Sequence, residues 1–371
     1  MRKLMVLLLM PLCLSLSGCN SSGELENQAY VLILGVDRLP GGALELTARI
    51  PRVAGKGTQE SDGSSGDSYM TFSAAGENYA RAMEALQWVT PRRTNLSHIE
   101  MLVASRTIAE EAGFSRLVDQ IAETPHLYIT ARFVVCEGTA RDFIETQQAV
   151  IGTRLSADIE ATLAHYAAFG YIPNSSFADV YYAGASVYSD PVAIMGYVKG
   201  ADEPASALMR GDDDHGASAM HQRFAGAALF EGGRMVGTLD TVETQLLNLV
   251  LGETASLSVD CNGRAVELML DSVPQKTVET GVAPRLTLAL ELLSANEDCG
   301  AYVRETELLL VRSFEALIAK CQRLNADPFG FAEEAAGHFM TVPEWLAYDW
   351  QTHYSAAAVD VKVHIRCHGG S

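Results

Sequence analysis

The chain has 371 residues, 48% of them hydrophobic, and its 46 Asp and Glu outnumber its 27 Lys and Arg to give a formal charge of −19. An acidic protein of this kind is not expected to bind nucleic acid through a phosphate-neutralising surface, nor to hold anionic lipid with a basic patch. The apolar content is enough for substantial cores, in two or three domains.

Arg2 and Lys3 open the chain, an apolar run follows from Leu4 to Leu16 broken only by Pro11 and Ser15, and Leu16-Ser17-Gly18-Cys19 comes next. That order predicts a signal peptide over residues 1–18 ending at a lipoprotein box. The run of thirteen residues is short of the ~20 that a spanning helix needs. Small residues at Ser17 and Gly18 suit an extended chain in a peptidase, and the Cys19 thiol is the predicted site of a diacylglyceryl group. Cleavage removes Arg2 and Lys3, takes the charge to −21, and leaves residues 19–23 as a polar, lipid-anchored tether. At ~0.8 kcal/mol per buried CH₂, two acyl chains hold a protein on a membrane, so function is expected at a membrane face outside the cytoplasm.

Residues 24–199 are expected to form an α+β domain. Ala29 to Arg38 is apolar on both faces and predicts a central strand. Ala43 to Ile50 alternates, with Leu44, Leu46, Ala48 and Ile50 on one side and Glu45, Thr47 and Arg49 on the other, which makes a hairpin across Pro40-Gly41-Gly42. Residues 53–68 read as a loop, and Tyr69 to Ser73 as a strand. Glu77 to Val89 has helical spacing and ends before Pro91. His98 to Ser105 is strand-like, Thr107 to Glu110 has the form of a capping box for a short helix closed by Gly113, and a second helix covers Ser115 to Glu123. A strand over Leu127 to Cys136, a helix capped by Thr139 and running to Gln148, and a helix over Ser156 to Phe169 follow. The stretch with Tyr181, Tyr182, Tyr188 and Tyr197 reads as irregular packing.

Residues 200–221 read as a linker. Its Asp212-Asp213-Asp214 triplet lacks the spaced ligands and distal Glu of a calcium loop. Residues 222–254 form a small β-hairpin/helix module: strands Phe224–Glu231 and Arg234–Thr238 around Gly232-Gly233, then a helix capped by Asp240 and Glu243 that ends at Gly252. Residues 255–371 are expected to be a second α+β domain. Its strands cover Ala255 to Cys261, Ala265 to Ser272 and Arg285 to Ser294. A long helix over Glu305 to Leu324 presents Leu308, Val311, Phe314, Leu317, Ile318, Cys321 and Leu324. Asp327-Pro328-Phe329-Gly330 breaks it, a short helix follows, and Ala358 to Cys367 alternates as the last strand. The fold class is thus α+β, several small domains each with a mostly antiparallel or mixed sheet and helices packed on it.

The chemistry is sparse. There is no Gly-x-Ser-x-Gly elbow, His-Glu-x-x-His pair, Walker loop or Gly-x-Gly-x-x-Gly turn. His364 and His368 share one face of the last strand about 13 Å apart, at ~3.3 Å per residue, too far for one zinc. No catalytic residue, cofactor or metal site is expected. Cys136, Cys261, Cys299, Cys321 and Cys367 have no CxxC pair; buried free thiols are the expectation and a Cys261–Cys299 disulfide the alternative.

Four patches in order resemble the C-subunit lipoproteins of spore germinant receptors, the Ger(x)C family. They are Cys19 with Glu24-Leu25 and Ala29-Tyr-Val-Leu-Ile-Leu-Gly-Val-Asp37; His98 leading to Ala109 and Gly113; Phe224-Ala-Gly226-Ala-Ala-Leu-Phe230 with Val236-Gly237 and Glu243; and Asp327-Pro-Phe-Gly330 with Trp345, Trp350 and the final strand. The family usually has Trp-Asp where this chain has Asn20-Ser21, and Gly where it has Ser97. The resemblance implies a three-domain α+β architecture and a non-enzymatic, lipid-anchored receptor subunit. It would sit on the outer face of the inner spore membrane with two integral membrane subunits, have no nucleic-acid partner, and serve nutrient-triggered germination. The alternative is a lipid-anchored extracytoplasmic solute-binding protein of a transporter, which needs a ligand pocket between lobes. A lipid-anchored hydrolase would need a nucleophile or metal motif. Neighbouring genes separate the first two: two membrane proteins favour the receptor, a permease with an ATPase the transporter.

Overall fold

The structure is a computed structural model that describes residues 27–52, 69–147, 155–197, 224–296, 300 and 302–367. The expected signal peptide over 1–18, Cys19, the expected loop over 53–68, the expected linker over 200–221, Cys299 and His368 lie outside the described residues. The first part of the chain runs β1 (Gln28–Tyr30), β2 (Ile33–Arg38), β3 (Leu44–Pro51), β4 (Tyr69–Gly76), α1 (Tyr79–Val89), β5 (Arg93–Asn95), β6 (Met101–Ser105), α2 (Arg106–Ala109), α3 (Phe114–Ala122), β7 (Arg132–Cys136), α4 (Ala140–Glu145), α5 (Leu155–Ala168), α6 (Phe177–Ala185) and β8 (Val192–Gly196). The second runs β9 (Phe224–Glu231), β10 (Arg234–Leu239), α7 (Thr241–Leu251), β11 (Ser256–Cys261), β12 (Arg264–Leu270), β13 (Gln275–Glu279), β14 (Arg285–Ser294), α8 (Val303–Leu324), α9 (Phe331–Ala336), α10 (Val342–Tyr348), α11 (Trp350–Ala356) and β15 (Ala358–Cys367).

An eight-stranded mixed sheet has the order β10-β9-β8-β7-β6-β2-β3-β4. Its middle strands β2, β6, β7 and β8 are parallel, and such strands read as continuous apolar runs because both faces are covered. Leu34, Val36, Leu102, Ala104, Phe133 and Val135 face α1, α3 and α6. Ile33, Met101, Val103, Val134 and Ile194 face α4 and α5. The expected strand over residues 29–38 is two strands. At Val31 and Leu32 the chain changes partners, donating to Asn95 O and then Arg49 O, so β1 pairs with β5 and β2 enters the large sheet.

The second sheet holds β11-β12-β14-β13, with β15 added parallel to β14 along ten residue pairs. Its core joins Leu268, Leu286, Leu288 and Leu290 to Phe314, Leu317 and Ile318 of α8. The hairpin-helix module over 222–254 has its three elements in place, but its hairpin extends the large sheet through β8 and β9. Ala227 and Leu229 of β9, Leu246 and Leu247 of α7, and the second sheet share one core.

Local signals held where capping chemistry was complete. Asp240 and Glu243 make a reciprocal capping box, and Thr139 accepts from Asp142 N–H. Thr107 makes no cap: α2 starts at Arg106 after Ser105, and Gly113 precedes α3 instead of closing α2. The strand expected from Leu127 is β only from Arg132, because Phe177 and Ala178 N–H take the carbonyls of Ala131 and Ile129. The supposedly irregular tyrosine stretch contains α6 and β8, and β13 was also unforeseen. On α8 the buried line is Leu310, Phe314, Leu317, Ile318 and Cys321, while Leu308 is 50% exposed.

Candidate functional site

The family-like patches pack as structural devices. Along β2, Gly35 and Asp37 point to the same side as Ile33. A Cβ on Gly35 would stand 2.5 Å from Ile144 Cδ1, so α4 approaches the sheet only because this residue has none. Asp37 is buried at the start of α4, where Oδ1 accepts from Ala140 N–H at 2.7 Å and Oδ2 from Arg141 N–H at 3.0 Å. Burial raises its pKa, and those amides oppose the rise. The second patch puts His98 edge-on to Tyr30 at 4.9 Å. In the third, Gly226 has φ +78, and a Cβ there would lie 2.2 Å from Leu239 O. Glu243 also binds Lys320 of α8 at 2.5 Å, tying α7 to the second sheet.

The fourth patch meets the large sheet at a junction. Asp190, just before β8, accepts from Asp327 N–H at 2.9 Å and from Gly232 N–H of the β9–β10 turn. Asp327 accepts in turn from Phe331 and Ala332 N–H at 3.2 and 2.6 Å. Burial pushes both carboxyls up to about 6, with the charge of Asp190 adding at Asp327 and that of Glu231 at Asp190. The nearby Cys321 thiol is pushed up to about 12 by burial, which keeps it protonated. Trp345 Nε1 donates to Val187 O at 2.9 Å, and its ring lies 5.8 Å from those of Tyr188 and Trp350. A cavity of about 240 Å³ lined by Asp190, Trp345, Asp349 and Trp350 opens beside this seam. Chemically the junction is a pair of buried acids that accept from backbone amides and so fasten a loop, a hairpin and a C-terminal helix together. Both acids begin Asp-Pro pairs, Asp190-Pro191 and Asp327-Pro328, which is the signal that could have flagged them.

The other singled-out residues do not converge. Cys19, Asp212 to Asp214 and His368 lie outside the described residues. His364 stands on the solvent side of β15 with Nδ1 3.5 Å from Glu307. Cys136, Cys261 and Cys321 are buried free thiols, which removes the Cys261–Cys299 alternative. Cys367, expected to be free, is disulfide-bonded to a partner outside the described residues. Tyr181 and Tyr182 contact each other on α6, and Tyr188 packs on Trp345. Among the described residues no group of three His, Cys, Asp or Glu could hold a metal ion. A second cavity, of about 420 Å³, opens at the start of the described chain between Tyr30, Ile50, Phe72 and Arg92.

Fold and junction together define a class: multi-sheet α+β proteins in which two sheets are fused through a shared hairpin and helix. Residues 21–198 match the family described as spore germination protein N-terminal domain, and residues 293–369 the one described as spore germination B3/GerAC like, C-terminal. The chain belongs to the Ger(x)C family of spore germination proteins, and its role is in spore germination. It is 22% identical over 391 residues to the putative spore germination protein YfkR of Bacillus subtilis, covering 98% of this chain and 95% of that one. It is 26% identical over 221 residues to spore germination protein KC of the same organism, covering 58% and 52%. The crystal structure of the GerBC protein superposes with a TM-score of 0.53 at 10% identity, over 90% of this chain and 96% of that one, a likeness of fold. None of these matches describes an enzyme family.

Proposed function

We propose that the protein is the lipid-anchored, non-enzymatic subunit of a spore germinant receptor, held by a diacylglyceryl group on Cys19. It sits on the outer face of the inner spore membrane and assembles with two integral membrane subunits. The observation that carries this reading is the lipoprotein box ending at Cys19, a few residues before the first described residue of a germination-family fold. No helix among the described residues is long and apolar enough to cross a membrane, which leaves the lipid as the anchor the sequence offers. Confinement to the membrane plane raises the effective concentration of partners, so modest interfaces suffice for assembly.

Two experiments test it. Cys19→Ala should leave the protein unprocessed or shed from spore membranes; unchanged mass and fractionation would sink the anchor. Spores lacking the gene should lose the response to one receptor's nutrients and keep that of others, and the tagged protein should pull down two membrane subunits. Normal germination with every nutrient and a permease in the pull-down would move the reading to a transporter's solute-binding protein.

A further inference from the structure

The end of the molecule at which the chain enters the fold carries side chains that neither core uses. β1 lies parallel to β5 with Gln28 opposite Arg93, so the segment arriving from Cys19 joins the fold beside Pro91, Arg92 and Arg93. The cavity there is walled by Tyr30, Ile50, Pro51, Met70 and Phe72 and rimmed by Arg52 and Arg92. α1 ends at the same place. It buries Tyr79, Ala82 and Leu86 against the sheet, while Trp88, about 200° further round than Leu86 at 3.6 residues per turn, is 84% exposed and Val89 is 48% exposed. Gln87 clamps the turn, donating to Arg92 O at 3.0 Å and accepting from Thr94 N–H at 3.0 Å, so the exposed pair is held on ordered backbone.

The charge beside the tryptophan is positive. Arg38, Arg106, Arg141 and Lys320 are matched to carboxylates, whereas here three arginines stand close together in sequence and strand pairing. Arg52, Arg92 and Arg93 are exposed, and no carboxylate pairs with them among the described residues. A formal charge of −19 opposes approach to an anionic surface as a whole, but at physiological salt charges beyond ~8 Å are screened.

We propose that this end is a bilayer-docking surface. Trp88 and Val89 enter the boundary between headgroups and acyl chains, where the amphipathic indole is favoured, and Arg52, Arg92 and Arg93 meet the phosphates of anionic lipid. This rests on the anchored reading above. The nine residue-to-residue steps from Cys19 to Gln28 reach at most ~30 Å, so the lipid sets the distance and the patch sets the orientation.

The test uses the chain from Cys19 to Ser371, which keeps every described residue. It is coupled through the Cys19 thiol to maleimide lipid in phosphatidylcholine–phosphatidylglycerol vesicles, with and without brominated acyl chains. The chain has three tryptophans, and Trp345 and Trp350 are 3% and 7% exposed, so Trp88 is the reporter. Its emission should shift to the blue and be quenched by the brominated chains. Trp88→Ser should remove that component without changing the far-UV circular dichroism, and Arg92→Glu with Arg93→Glu should weaken the docked state by at least about thirtyfold, as loss of two cations at ~1 kcal/mol each implies, read as lost quenching. Emission indifferent to brominated lipid, or quenching that survives Trp88→Ser or the charge reversal, overturns the proposal. Protection of Trp88 from acrylamide in spore membranes without lipid quenching also overturns it, in favour of a protein partner. Because the coupling supplies the anchor chemically, failure here is separate from failure of Cys19 lipidation, which the fractionation experiment reads.

Discussion

The carboxyls of Asp190 and Asp327, together with Glu100, which burial pushes up to about 7, are residues on which pH acts directly. In the unfolded chain each aspartate would titrate near 3.8, and in the fold each is pushed up to about 6 by burial. Between those values the folded state binds more protons than the unfolded state, so stability falls as pH rises from about 4 to 6. The effect is up to about 3 kcal/mol per carboxyl at 1.36 kcal/mol per unit. The melting temperature should therefore climb on acidification from pH 7 to 5, and Asp190→Asn with Asp327→Asn should flatten that slope. A slope equal to the parent's would show that the pair is not desolvated. Gly226 is a second sensitive residue. With φ at +78 and Leu239 O 2.2 Å from any Cβ, Gly226→Ala should cost about 2–3 kcal/mol by strain and displacement of β10, checked by urea midpoint. The bare sequence marks Gly226 and Asp327 only as members of a familiar pattern. Which carbonyl crowds the one and which amides bind the other depends on segments far along the chain.

At the scale of elements, α8 gives the sharpest test. Phe314 is fully buried against the second sheet, and truncating a buried Phe typically costs ~3–5 kcal/mol. Phe314→Ala should lower the melting temperature or the yield, whereas Leu308→Ala should leave both nearly unchanged because that side chain is half in water. Equal effects would place the register of the helix elsewhere. Helical periodicity found this face because Phe314, Leu317, Ile318 and Cys321 all lie on it. It misassigned Leu308 because Leu308, Leu309 and Leu310 are equally apolar, and only the sheet beneath selects Leu310. The hairpin β9–β10 and α7 were legible to within a residue, since a two-glycine turn and a reciprocal cap are local chemistry. β8 is short and ordered by neighbours outside the window, whereas α6 carries a reciprocal Ser176–Asp179 capping box, a local signal that the sequence did offer.

For the whole molecule, the shared core is the deciding feature. Ala227 and Leu229 from the large sheet and Leu268 and Leu286 from the second belong to one buried cluster, and Lys320 with Glu243 crosses the same seam. Heating should therefore give one calorimetric transition over both sheets, with the ratio of van't Hoff to calorimetric enthalpy near one. Two resolved transitions would mean that the seam holds little energy. The α+β class was readable from alternating strand and helix periods. The fusion was not, because nothing in the spacing of residues 222–254 says which sheet the hairpin joins.

The strand order has a consequence for how such a chain comes into being. After the β2–β3–β4 meander, β6 returns to the open edge at β2, and each later strand of the large sheet lies against the one before it: β7 on β6, β8 on β7, β9 on β8 and β10 on β9. A polypeptide that emerges amino end first thus presents each strand just as the edge it needs becomes available, and the growing sheet exposes one unfinished edge at a time. The second sheet lacks this convenience, since β14 waits for β15, its neighbour along ten residues, until the carboxyl end has emerged. Vectorial emergence would then leave a late intermediate with its first sheet complete and an open edge on β14, and that edge is where a folding factor would have most to protect.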